Sequence, residues 1–232
     1  MENKNILVIG GNSGIGEQIV KRLSDKGANI YAANRNGFSS LPSGMHIQEV
    51  DVTADEFTLN LPDELHGLVY CPGSINLKPF DRIKLETYVE DMNINFYGAV
   101  KVLQQALPVM RKTGDASVVG FSTVAVNTGL PFHASVASAK GALEGLFRSL
   151  AAEYAPKVRF NIIAPSLTDT PMAKGLLGSD RKKEASAERH PLKAVGEADQ
   201  MAAMAQLLLS DEGSWISGQT MHIDGGMSNL KP

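Results

Sequence analysis

Seven short apolar runs, three of them followed by a helical stretch, constrain this chain more than any other feature. NILVIG (Asn5–Gly10) is apolar throughout, as a strand covered on both faces of a parallel sheet must be. A glycine-rich turn leads into GIGEQIVKRLSDKGA, where Ile15, Ile19, Val20 and Leu23 recur at helical spacing and Gly27 stops the helix. ANIYAANR, MHIQEVDV, LHGLVYC, ASVVGFST, VRFNIIAP and QTMHIDGG read as six further strands. Long helical stretches, LETYVEDMNINFYGAVKVLQQALPVM and SVASAKGALEGLFRSLAAEY, lie between the fourth, fifth and sixth. This alternation predicts an α/β fold: a doubly wound, mostly parallel seven-stranded sheet with helices on both faces.

A chain of 232 residues suits one such domain, covering 1–232. With 43% hydrophobic and 20% charged residues it has the composition of a soluble globular protein, not a disordered one. A formal net charge of −3 argues against nucleic acid as the partner. No apolar run approaches the roughly 20 residues that span a bilayer, and MENKNILVIGG has no secretory pattern, so no membrane partner and a cytoplasmic location are expected. The lone Cys71 excludes an internal disulfide, and five scattered histidines argue against a metal site. Two regions break the rhythm. TADEFTLNLPDELH is short for a crossover helix. Ser166–Leu192 mixes prolines, glycines and opposite charges over a length that favours a lid or substrate loop.

The glycine loop VIGGNSGIGEQIV sets Gly10, Gly14 and Gly16 between the first strand and the first helix. Glycine is needed where backbone must approach a diphosphate and turn into a helix whose N-terminal N–H groups favour an anion. Asp51, in EVDVT, ends the third strand. It and its neighbour Val52 either meet an adenine ring, or Asp51 simply caps the next turn.

These stretches resemble the short-chain dehydrogenase/reductase family over almost the whole length. The resemblance rests on the glycine loop, Asp51, NFYG around Asn95, FSTVA around Thr123, AKGALEGLFRSLAAEY from Ala139, VRFNIIAPSLTDTPM and SGQTMHIDGG. It implies a Rossmann-type sheet with a nicotinamide dinucleotide lying across the C-terminal strand edges. Gly10, Asn12, Ser13, Gly14, Ile15 and Gly16 are then expected at the diphosphate, and Asp51 and Val52 at the adenine. Thr170 is expected at the nicotinamide. The second strand ends in Asn34 and Arg35 where an acid would favour NAD. A guanidinium there suits the extra phosphate of NADP, unless Arg35 is only an exposed turn residue.

The catalytic pattern is partial. Asn95 matches the family's helix asparagine, Lys140 the lysine that holds the nicotinamide ribose, and Thr123 the serine that orients a carbonyl. The tyrosine position, thirteen residues after Thr123 and four before Lys140, falls on Val136. Loss of a general acid costs roughly 10²–10⁴-fold if nothing replaces it. His133, three residues before Val136, is a candidate donor or a helix-start histidine. Lys140 could serve through water if burial lowers its pKa. His190, in the lid, either closes over a substrate or is a surface loop histidine.

Two functions follow. One is an NADP(H)-dependent oxidoreductase acting on a small carbonyl or alcohol; the other is a catalytically degenerate NADP(H)-binding sensor or partner subunit. The resemblance also implies a homodimer or homotetramer, formed through apolar positions such as Val100, Leu103, Leu107, Leu146 and Leu150, unless these pack only on their own sheet.

Overall fold

A computed structural model describes residues 1–37 and 44–230. The chain runs β1 (Asn5–Ile9), α1 (Gly14–Asp25), β2 (Asn29–Asn34), β3 (His46–Glu49), β4 (Gly67–Tyr70) and α2 (Leu85–Met92). A π-helical turn, Asn93–Tyr97, joins α2 to α3 (Gly98–Thr113), followed by β5 (Ala116–Phe121), α4 (Ala125–Thr128), α5 (Ala134–Tyr154) and β6 (Val158–Pro165). The remainder holds β7 (Thr168–Asp169), α6 (Lys174–Leu177), α7 (Asp180–Ala187), β8 (Gly196–Glu197), α8 (Ala198–Leu209) and β9 (Thr220–Ile223).

Seven strands form one sheet in the order β3-β2-β1-β4-β5-β6-β9, and every pairing is parallel. All strands therefore point their C-terminal ends to the same edge, and the order reverses beside β1, where open α/β sheets bind ligands. The apolar runs are buried because helices cover both faces. Leu7, Leu68, Leu103 and Phe147 belong to the core under α3 and α5, and Ile6, Val8, Ile19 and Leu208 to the core under α1 and α8. Two strand glycines let the layers approach closely. A Cβ on Gly67 would lie 2.6 Å from the Ile6 side chain, and one on Gly120 would lie 2.7 Å from the Phe147 ring.

The segment 52–66 forms no helix, as its length and proline predict. The expected long helical stretch before β5 is continuous from Leu85 to Thr113, with a π turn inside it at the fully buried Asn95. The stretch 166–192 is more regular than its composition indicates, carrying α6 and α7. Its far end returns to the sheet through His190, which is only 3% exposed. The imidazole Nδ1–H donates to the Ser186 carbonyl oxygen at 2.9 Å, and Nε2 lies 2.8 Å from Ser166 Oγ. The surface reading of His190 is thereby corrected: both ring nitrogens find partners inside the fold. Among the described residues no helix is long and apolar enough to cross a membrane.

Candidate active site

A cleft of about 700 Å³ opens along the C-terminal edge of the sheet, well within the size of small-ligand sites. Of the cofactor and catalytic candidates named from the sequence, all line this cleft except Asn95, which is buried behind it, whereas the candidate interface residues Val100, Leu103, Leu107, Leu146 and Leu150 lie elsewhere. The two ends are set by strand order. Loops after β1, β2 and β3 make one end, and loops after β5 and β6, with 166–192, make the other.

At the first end the glycine loop is sterically committed. Gly10 and Gly14 have φ of +78° and +54°, and a Cβ on Gly16 would fall 2.1 Å from the Gly10 carbonyl oxygen. The first turn of α1 has no side-chain cap from Ser13, so its N–H groups face an open cradle. Asn12 Nδ2 instead donates to the Asn36 carbonyl oxygen at 2.9 Å and pins the loop to the turn after β2. Asn34 is 4% exposed, yet neither atom of its side-chain amide has a hydrogen-bond partner. Such an orphaned pair is costly unless a ligand satisfies it. Arg35 beside it is exposed and forms no ion pair among the described residues. The Asp51 carboxylate accepts from the Thr53 amide at 2.8 Å and the Thr53 hydroxyl at 2.6 Å, bonds that hold its pKa below the usual carboxylate range. It therefore caps the turn, as the plainer of its two readings requires, while the cleft passes beside it.

In the middle, Lys140 rises from α5 beneath the end of β5. It is buried, and its Nζ donates to the Phe121 carbonyl oxygen at 2.7 Å. Burial pulls its pKa down to about 8, against the opposing pull of Cys71 and Asp91. The same burial pushes the Cys71 thiol up to about 12 and leaves it protonated and unreactive at neutral pH. A side chain on Gly73 would lie 3.2 Å from Asn95 Oδ1 and 3.3 Å from Lys140 Nζ, so both groups converge on its bare backbone. Asn95 Oδ1 is buried without a partner, whereas Nδ2 donates to Ser74 Oγ at 2.9 Å and to the Asp91 carbonyl oxygen at 2.8 Å.

Behind Asn95 stands a group the sequence reading missed. Asp91 is fully buried, and its carboxylate accepts from Ser74 Oγ at 2.5 Å, from Asn76 Nδ2 at 2.7 Å and from Ser135 Oγ. The signal was available, since Asp91 is four residues before Asn95 and shares its helix face. On the other side of α5, the buried Glu144 carboxylate accepts from Ser122 Oγ.

At the substrate end, Thr123 and Val136 share the wall with His133. Thr123 Oγ1 accepts weakly from the Ala125 amide at 3.3 Å. His133 Nδ1 is 2.8 Å from the Pro131 carbonyl oxygen, which fixes the proton on Nδ1 in the neutral ring and leaves Nε2 an acceptor. Thr170 packs against the loop at the other end, with its Cβ 3.4 Å from where a Cβ on Gly14 would be. Tyr97, two residues past Asn95, is half exposed and does not line the cleft, as helical geometry predicts.

A family model described as Enoyl-(Acyl carrier protein) reductase matches residues 9–228. The chain is 31% identical to the 3-oxoacyl-(acyl-carrier-protein) reductase MabA of Mycobacterium avium, over 97% of this chain and 90% of the relative. It is 29% identical to a tropinone reductase homologue of Arabidopsis thaliana, over 98% and 94%. Among solved structures, the ligand-free aldohexose dehydrogenase of Thermoplasma acidophilum superimposes with a TM-score of 0.89 at 25% identity, covering all of this chain and 96% of the other. With a family model matched over residues 9–228 and a 31% identical relative covered almost end to end, the chain belongs to the short-chain dehydrogenase/reductase family.

Proposed function

We propose that the protein is an NADP(H)-dependent oxidoreductase that interconverts a small carbonyl compound and its alcohol. The observation that carries the cofactor choice is the end of β2. There the buried, unpaired Asn34 amide offers a donor and an acceptor to a ribose, and the adjacent Arg35 guanidinium is free to pair with a 2′-phosphate. A carboxylate in place of Asn34 would repel that phosphate; the nearest one, on Asp51, is already committed to Thr53. The uncapped first turn of α1, held tight against the Gly10 carbonyl by the bare Gly16, suits the diphosphate.

Bound nicotinamide supplies or accepts the hydride. The protein's own task is then the proton. Position 136 is valine, so we assign the proton to Lys140, whose ammonium keeps two N–H bonds free beyond the one given to Phe121. A pKa of about 8 puts this ammonium near the range that suits general acid catalysis at neutral pH. Thr123 orients the carbonyl oxygen. The unpaired Asn95 Oδ1, turned towards the same Gly73 backbone as Lys140, positions a water that resupplies the lysine. His133 is the weaker candidate, because its neutral tautomer presents only an acceptor to the cleft. Both curated relatives are named as reductases or homologues of one, which supports carbonyl reduction. A homodimer or larger assembly is proposed as well, supported by the exposed Leu85, Val89 and Tyr97 along the α2–α3 surface.

Titration with NADPH and NADH tests the cofactor. NADPH is expected to bind more tightly, and Arg35→Ala to erase the difference by weakening NADPH about tenfold, the scale of one charge-assisted contact. Oxidation of NADPH in the presence of ketones and aldehydes tests the reaction. Binding of neither nucleotide would sink the proposal.

A further inference from the structure

The charges around the cleft are unequal in a way that bears on the substrate. Residues 166–192 contain nine Asp, Glu, Lys and Arg side chains of both signs. Only Arg189 among them lines the cleft. Lys183 is paired with Asp169 at 2.6 Å and Glu188 with Lys193 at 3.2 Å. The Arg189 guanidinium is exposed and has no carboxylate partner among the described residues. Its place is fixed by its neighbour His190, held at 2.8 Å to Ser166 just past β6, while Ser166 Oγ lies 3.0 Å from the Met227 sulfur just past β9. That is the opposite side of the sheet order from Arg35, which follows β2. Among the described residues the cleft thus has a free guanidinium at each end and Lys140 between them, and the one carboxylate on its wall, Asp51, is at the Arg35 end. The same wall carries Leu130, Val136, Leu167, Met172 and Leu176, with Ser186 and His190 as the polar neighbours of Arg189 in the chain.

We propose that this end of the cleft takes a carboxylate: the substrate is an oxo or hydroxy acid with an apolar body, its carboxylate paired with the Arg189 guanidinium. The carbonyl half of this inference rests on the oxidoreductase reading above. The carboxylate half does not require turnover. A planar guanidinium matches a carboxylate with two parallel N–H···O bonds. Arg189 is the one Lys or Arg of this loop on the wall, and a single guanidinium charge suits a monoanion better than a phosphate dianion. Among the described residues no Asp or Glu of this loop lines the cleft to receive an ammonium.

Calorimetric titration with hexanoate, hexanamide and hexyl phosphate, with and without NADPH, tests the pairing. Hexanoate is expected to bind about tenfold more tightly than the isosteric neutral amide, the scale of an exposed charge-assisted pair. Arg189→Gln should bring the two to parity and Arg189→Lys should keep part of the preference. The side chain is exposed, so these variants retain the fold. Equal affinity for hexanoate and hexanamide, or a preference that survives Arg189→Gln, would overturn the inference. So would an Arg189-dependent preference for hexyl phosphate over hexanoate. NADPH titration of the same samples keeps the two readings apart. Nucleotide binding without a hexanoate preference sinks the acid substrate alone, and a hexanoate preference without nucleotide binding sinks the cofactor reading alone.

Discussion

Lys140 Nζ donates to the Phe121 carbonyl oxygen at 2.7 Å, fastening the middle of α5 to the end of β5 inside the cleft wall. This bond orients a buried ammonium whose pKa is drawn down to about 8 by burial. Below that pH the group carries its proton, and above it the proton is lost. Carbonyl reduction is therefore expected to be flat at lower pH and to fall about tenfold per pH unit above 8. Lys140→Arg keeps a charge but cannot release a proton, so kcat should drop by roughly 10²-fold and the limb near pH 8 should vanish. A kcat–pH profile of both proteins checks this.

Val136 lines the cleft beside Thr123, on the helix that carries Lys140 one turn later. Val136→Tyr should place a phenol near the reacting oxygen and raise kcat for a ketone by about tenfold or more. Val136 is 4% exposed, so the larger ring should also cost about 1–3 kcal/mol of stability through overpacking. Steady-state kinetics and urea denaturation read the two effects separately. An unchanged or lower rate in a folded variant would show that the proton already arrives by another route.

Asp91 joins α2, the loop after β4 and the start of α5, because Ser74, Asn76 and Ser135 all donate to it. Asp91→Ala would leave the buried Ser135 and the half-buried Ser74 and Asn76 donors unpaired, at a cost of about 3 kcal/mol. Asp91→Asn preserves shape and some of the bonds and should lose less. Denaturant midpoints measure the difference. Because Ser74 also accepts from Asn95, the alanine variant is further expected to weaken NADPH binding more than a remote core variant of equal instability.

Gly16 has no room for a methyl group, whose carbon would stand 2.1 Å from the Gly10 carbonyl oxygen. Gly16→Ala should open the β1–α1 corner and abolish measurable NADPH binding. Gly37→Ala, where nothing lies within 4 Å, should bind normally. Fluorescence titration of NADPH distinguishes them.

Much of the site was legible before any coordinates. Gly10, Gly14 and Gly16 were identifiable because their constraint is local: a turn and a helix start within a few residues of one another. Asn95 and Lys140 were legible only as candidates, through the resemblance of NFYG and AKGALEGLFRSLAAEY to the family's motifs. Asp91 was overlooked because a lone acid in a helix reads as solvated, and only the packing of Ser74, Asn76 and Ser135 around it reveals otherwise. His190 was misjudged for a related reason, since a mixed, proline-rich stretch does not announce which of its residues turns back into the fold.

The sequence by itself determined the alternation of strand and helix, the parallel sheet and the glycine cradle, because periodicity and steric room act over short stretches of chain. Tertiary structure alone decided which charges face the cleft. Arg35 and Arg189 are far apart in the chain and belong to segments of mixed sign. Strand order carries them to opposite ends of one groove, while neighbouring charges neutralise one another at the surface. Electrostatics in a cleft is a sum over groups brought together from distant positions, and that sum exists only once the chain has folded.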